Sequence, residues 1–277
     1  MVSPQKIKYN NIFSDVGLGT LDVILDVAFD SDNGAMSSYL NRSAVASESY
    51  DGRYKNTTRY KFDELFSPQF TMVKKDFSDF TQEESRKVLK YLTSTDKPAL
   101  LEVYYDGASN IVDWACIGGF VSIETYKIAN NRTVGIIAKF EAITPYAMSD
   151  LYTVTKTITS ADNKITINID TDDNKPVYPR VTIQANNASI KFINKHTDFF
   201  NVSKTYNSIS LSNNASGERI VVDGANKIIS SSSTKRIFGD DFNLVWLELH
   251  DGKNELTIEG NCTVTLEWRE ARKVGEY

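Results

Sequence analysis

Cysteine and histidine are scarce in this chain of 277 residues, which has two of each. Cys116 and Cys262 are too few and too far apart for a disulfide scaffold or a cysteine-rich zinc site, and read as small buried hydrophobes. His196 and His250, with no Gly-x-Ser-x-Gly turn to present a nucleophile, leave a hydrolytic triad without support and read as loop histidines. Long apolar runs are missing too: Leu244-Val-Trp-Leu247 is soon broken by charge, far short of the ~20 residues that span a bilayer, so no membrane insertion is expected. The first ten residues lack the apolar stretch of a secretory signal, which predicts a protein made in the cytoplasm. Neither sign of charge dominates. Lys plus Arg (31) against Asp plus Glu (36) gives −5, no footprint for a phosphate backbone, so nucleic-acid binding is not expected.

Cofactor and metal signatures are equally thin. Gly17-Leu-Gly19 is not framed as a dinucleotide-binding turn, and no phosphate loop occurs. Asp170-Thr-Asp-Asp-Asn174 starts with the spacing of a calcium loop but has Lys175 where glycine is needed and Val181 where glutamate closes the site. No cofactor, metal ligand or catalytic residue is therefore assigned.

What the chain does have is a period of two. Val134, Ile136, Ala138, Phe140 and Ala142 share one strand face, as do Ile165, Ile167 and Ile169, then Val181 and Ile183, then Ile209 and Leu211. Cys262, Val264, Leu266 and Trp268 alternate with polar residues and place Cys262 in a core. Asp106-Gly107, Asp223-Gly224 and Asp251-Gly252 sit between such segments and predict three hairpin turns, because Asp and Gly tolerate positive φ. One helix is predicted at about 81–92: Thr81 and Glu84 form a capping box, the charges follow the helix dipole, and Val88, Leu89 and Leu92 make a short apolar stripe. The chain divides near Asp150, after a long strand ends at Pro145, into domains at 1–149 and 150–277. A fourth Asp-Gly, Asp51-Gly52, has polar and aromatic flanks and reads as an exposed arm. Its Tyr50, Arg53, Tyr54, Lys55, Arg59 and Tyr60 suit an inter-subunit contact, since Tyr and Arg are enriched at interfaces.

The order of these segments carries a resemblance. Arg86-Lys-Val-Leu-Lys-Tyr-Leu92, Leu100-Leu-Glu-Val-Tyr-Tyr-Asp-Gly107, Gly119-Phe-Val-Ser-Ile123, Val134-Gly-Ile-Ile-Ala-Lys-Phe140 and Thr144-Pro-Tyr-Ala147 resemble the N-terminal domain of siphophage distal tail proteins. Pro179-Arg-Val-Thr-Ile183, Gly217-Glu-Arg-Ile-Val-Val-Asp223, Arg236-Ile-Phe-Gly-Asp-Asp-Phe242, Leu247-Glu-Leu-His-Asp-Gly-Lys-Asn254 and Val264-Thr-Leu-Glu-Trp-Arg269 follow the order of its C-terminal domain. The resemblance spans most of residues 80–277. It implies a mainly β protein of two β-sandwich domains: an N-terminal ring-forming one with a single α-helix, and a C-terminal jelly roll like those of galectins and carbohydrate-binding modules.

The resemblance further implies a non-enzymatic virion protein at the phage tail tip. It would form a homo-hexameric ring that joins the tail tube protein to the tail-associated hub or lysin protein and anchors a receptor-binding protein. The competing reading is a carbohydrate- or receptor-binding adhesin that uses the C-terminal jelly roll. A third is a glycan-cleaving enzyme with paired carboxylates, which any acidic chain of this length could supply. Trp246 and Trp268 lie in alternating segments and read as buried, which weighs against a sugar-binding face.

Overall fold

A computed structural model describes residues 3–19, 21–29, 42–48, 55–62, 65–108, 110–128, 132–173, 175–198 and 200–274 of the protein. The fold is mainly β. It separates into two compact units, Met1–Asp150 with the segment that starts at Arg272, and Leu151–Ala271.

In unit 1 the order is β1 (Lys6–Tyr9), β2 (Ile12–Phe13), α1 (Ser14–Leu18), β3 (Val23–Phe29), β4 (Arg42–Glu48), β5 (Lys55–Phe62), β6 (Pro68–Lys74), α2 (Gln82–Leu92), β7 (Ala99–Tyr104), β8 (Trp114–Ile128), β9 (Arg132–Ala142) and β10 (Ala147–Met148). Seven of these strands join in the order β2-β1-β7-β8-β9-β6-β3, with β10 attached to β8, while β4 and β5 pair apart from them. The larger sheet curls. Tyr9 on β1 and Phe140 on β9 are three places apart, ~14 Å in a flat sheet, yet their rings meet edge to face at 6.0 Å. Register shifts in β8 at Phe120/Ser122 and Tyr126/Lys127 supply bends of the kind that bulges produce. Phe70, Phe120, Phe140 and Trp114 fill the interior with edge-on and stacked contacts. Gly118 is needed at one close approach: a Cβ there would lie 2.0 Å from the Glu141 carbonyl oxygen.

The helix at 81–92 forms as its cap predicts. Glu84 N–H donates to Thr81 Oγ1, Thr81 N–H donates to Glu84 Oε2, and Lys74 pairs with Glu84 at 3.1 Å. Its buried face differs from the expected stripe: Val88, Tyr91 and Leu92 are buried, whereas Leu89 is 40% exposed. Tyr91 turns inward because its hydroxyl donates to the Ile12 carbonyl at 3.1 Å beside α1. That five-residue helix is a second one where a single helix was expected. It is too short to show a period, and it is tied in by Ser14 Oγ, which accepts from Ile7 N–H.

Unit 2 contains β11 (Tyr152–Ile158), β12 (Lys164–Ile169), β13 (Arg180–Ala185), β14 (Ile190–Thr197), β15 (Ser203–Leu211), β16 (Arg219–Asp223), β17 (Ile228–Ser231), β18 (Gly252–Glu259) and β19 (Cys262–Trp268). They form two antiparallel sheets, β11-β19-β13-β16-β17 and β12-β18-β14-β15. Both sheets feed one core: Ile165, Ile167, Ile169, Ile209 and Leu211 from the smaller, Val181, Ile183, Val264 and Leu266 from the larger. The period-two residues are thus the inward faces. Arg236 is drawn into the edge of this unit, where it pairs with Glu218 at 3.3 Å and Asp241 at 3.4 Å and donates to the Ser212 and Asn213 carbonyls.

The Asp-Gly turns divide. Asp106-Gly107 lies in the connection of β7 to β8 and Asp223-Gly224 opens that of β16 to β17, both antiparallel neighbours. Asp251-Gly252 is not a hairpin: Gly252, at φ +97°, opens β18, which pairs with β12 and β14. In the β16–β17 turn the positive φ falls on Lys227, at +56°, while Asp223 accepts from Asn226 N–H.

Candidate functional site

The expected arm lies in unit 1. Tyr50, Arg53 and Tyr54 fall outside the described residues; Lys55, Arg59 and Tyr60 lie on β5. Among the described strands β4 and β5 pair only with each other, a two-stranded ribbon in register from Arg42↔Phe62 to Glu48↔Lys55, apart from the curled sheet.

Both cysteines are buried, and burial pushes the Cys262 thiol up to about 11 and raises that of Cys116 as well, so neither is a ready nucleophile. Among the described residues no three His, Cys, Asp or Glu side chains gather as around a metal ion, and no helix is long and apolar enough to cross a membrane.

Of the two histidines, His250 lies in a loop before β18 as expected, and His196 does not. His196 is on β14 and only 8% exposed, and His250 packs beside it with ring centroids 5.1 Å apart. Polar residues follow the inward-facing alternation of β14, with Asn194 and His196 continuing the row of Ile190 and Phe192. Their partners come from far along the chain: Asn194 Nδ2 donates to the Glu248 carbonyl and to Asn254 Oδ1, and His196 Nε2 lies 2.6 Å from the Asp251 carbonyl oxygen. A local sequence window holds no sign of these contacts.

Next to this cluster is a pocket of about 260 Å³ lined by Asn194, Tyr206, Ser208, Trp246 and Glu248. Trp246, expected to be buried, is half-buried and forms part of the wall; Trp268 is buried as expected, 7% exposed. Tyr178 donates to Glu248 Oε1 at 2.8 Å, and Lys227 sits over the rings of Tyr178 and Trp246 at 3.5 and 5.5 Å. The rim is pinned by Asn243, whose side chain accepts from Ser210 N–H and donates to the Ser208 carbonyl. The next residue, Leu244, is held at φ +56°.

Comparison with known proteins places this architecture. No curated protein sequence matches the chain. Among solved structures, it superposes on the SPP1 Dit (gp 19.1) protein, described as a paradigm of the hub adsorption apparatus in phages that infect Gram-positive bacteria. The TM-score is 0.60 at 11% identity, over 95% of this chain and 98% of that one. The phage P2 baseplate, in its activated conformation with Ca, aligns over 97% of this chain and 98% of that one at 10% identity, with a TM-score of 0.45. Residues 6–144 match the family described as phage tail protein N-terminal domain, and residues 146–268 match the phage tail C-terminal domain. The chain belongs to this family of phage tail proteins.

Proposed function

We propose that the chain is a distal tail protein: six copies close a ring at the end of a long non-contractile tail and join the tail tube to the tail-associated hub protein. The observation that carries this reading is the end-to-end correspondence in fold with SPP1 Dit, a hub protein by its description, combined with a family match on both halves. In this reading unit 1 forms the ring, and unit 2 is the jelly roll that anchors a receptor-binding protein. A cyclic ring has head-to-tail interfaces, so each subunit presents two different surfaces. The β4–β5 ribbon, which pairs with no other described strand, supplies one of them, with Tyr50, Arg53, Tyr54, Lys55, Arg59 and Tyr60 as the contacting residues. The subunit is made in the host cytoplasm and ends in the virion.

Light scattering coupled to size-exclusion chromatography tests the ring. A particle of six 31.1 kDa chains, ring-shaped in negative stain, is the expected result. A monomer that refuses to assemble even with tube and hub proteins present overturns it. The adhesin reading keeps one observation in its favour, the half-buried Trp246 in the wall of a pocket.

A further inference from the structure

The outer flank of β15, the last strand of its sheet, is half covered by the chain itself. Residues 241–243 run antiparallel along it: Ser212 N–H donates to the Asp241 carbonyl, Phe242 bridges Leu211, Asn243 N–H donates to the Ser210 carbonyl, and the Asn243 side chain reaches on to the Ser208 carbonyl. The pairing ends there. Leu244, at φ +56°, turns the chain off the strand, and no described group bonds to the outer flank of Ser203–Tyr206. A strand edge left in this way is a template for a further strand.

The surroundings of this unpaired stretch define the strand that fits. The pocket of about 260 Å³ is the wedge between β15 and the departing chain, with Tyr206 and Ser208 on one wall and Leu244, Val245 and Trp246 on the other. A strand that carries on from Asn243 along β15 therefore directs a side chain into an apolar recess. At its mouth Leu244 is 73% exposed, a strained backbone that holds an apolar side chain out in solvent. Charge selects as well. Lys204 is the one charge on β15, and Lys195 faces Thr205 from β14. Neither has an ion pair among the described residues, and Glu255, opposite Lys195 on β18, is taken by Lys253 at 3.2 Å. A basic edge beside an apolar recess is complementary to an acidic segment with an apolar anchor.

We propose that β15 accepts an extended acidic segment of the receptor-binding protein, which adds a strand along Ser203–Tyr206 in continuation of residues 241–243. One apolar side chain of that segment enters the wedge beside Trp246, and its carboxylates face Lys204 and Lys195. The proposal rests on the reading of unit 2 as the anchor for that protein, and names the surface and the mode of attachment.

Hydrogen exchange of the full chain, alone and with the purified receptor-binding protein of the same tail, tests it. The expected result is exchange slowed about tenfold or more across Ser203–Tyr206 in the complex. Leu244→Asp separates binding from folding: aspartate tolerates positive φ better than leucine, so the melting temperature holds, while a carboxylate at the mouth of the recess repels the acidic segment and weakens binding by more than about tenfold. Lys204→Glu weakens it about fivefold. A complex that protects other residues and not Ser203–Tyr206, or one whose affinity is unchanged in Leu244→Asp, overturns the strand docking and leaves the anchoring role standing. Protection of Ser203–Tyr206 that grows with the concentration of the chain alone assigns the edge to a second copy and overturns it too. No complex at all overturns both docking and anchoring, whereas the sixfold mass of the ring is read independently of either.

Discussion

The imidazole of His250 lies almost parallel to the phenol ring of Tyr206, with 4.5 Å between centroids and 23° between planes. Burial first and the neighbouring His196 second hold this imidazole below its ordinary value of 6.5; Lys204 acts in the same direction and Glu248 opposes it. In the unfolded chain the ring takes up its proton at higher pH than in the native protein. The stability His250 contributes is therefore whole above about pH 6.5 and is lost as pH falls through the depressed native value. His250→Phe keeps a ring against Tyr206 but cannot titrate, so its melting temperature should fall less on acidification from about pH 7.5 to about pH 5 than the parent's. An equally steep fall in the variant removes His250 as a source of acid sensitivity.

Neighbouring glycines in β8 make a paired test of packing. A Cβ on Gly118 meets the Glu141 carbonyl at 2.0 Å and the Phe140 ring at 2.7 Å, whereas at Gly119 nothing is nearer than 3.9 Å. Gly118→Ala should cost about 3 kcal/mol or more, and Gly119→Ala less than about 0.5 kcal/mol, in urea unfolding. Similar midpoints for the two variants contradict the register of β8 against β9.

Among the described residues, Arg236 is the only countercharge shown within reach of Glu218, whose side chain is 2% exposed. Arg236→Met strands that carboxylate and should destabilise unit 2 by about 3–5 kcal/mol. Adding Glu218→Met removes the stranded charge and should recover part of the loss, a coupling that a double-mutant cycle measures. Strict additivity shows that the pair does not act as one.

Deleting residues 48–58 removes part of the β4–β5 ribbon. The variant should keep its β-sheet circular dichroism and lose the sixfold mass. An intact ring formed by it refutes the ribbon as an assembly contact.

Local signals made part of this protein legible. A capping box satisfies backbone groups three residues apart, so Thr81 and Glu84 announce α2, and strands that bury one face show their period in four residues, as Cys262 to Trp268 do. Non-local causes stayed hidden. The face of α2 is decided by where α1 lies, which exchanges Leu89 for Tyr91. His196 looked like a loop residue because its neighbours are polar, yet the inward polar row of β14 finds hydrogen-bond partners in Glu248, Asp251 and Asn254, later in the unit. The same holds for the pocket, whose Trp246 sits in a segment that reads as core until Lys227 and Tyr178 are brought to it. The ribbon of β4 and β5 showed no alternation, and its aromatic and basic residues were the only pointer to it.

The segment that starts at Arg272 belongs to unit 1, and Val274 packs against that unit's core. The order of completion therefore runs against the order of synthesis. On the ribosome, every residue of Leu151–Ala271 emerges before Val274 does, so unit 2 can close its sandwich while unit 1, begun first, still lacks a piece of its interior. A subunit interrupted late in translation would thus carry a finished unit 2 beside an unfinished unit 1, the half to which assembly is assigned here. Only a chain translated through Val274 would be ready to join its neighbours.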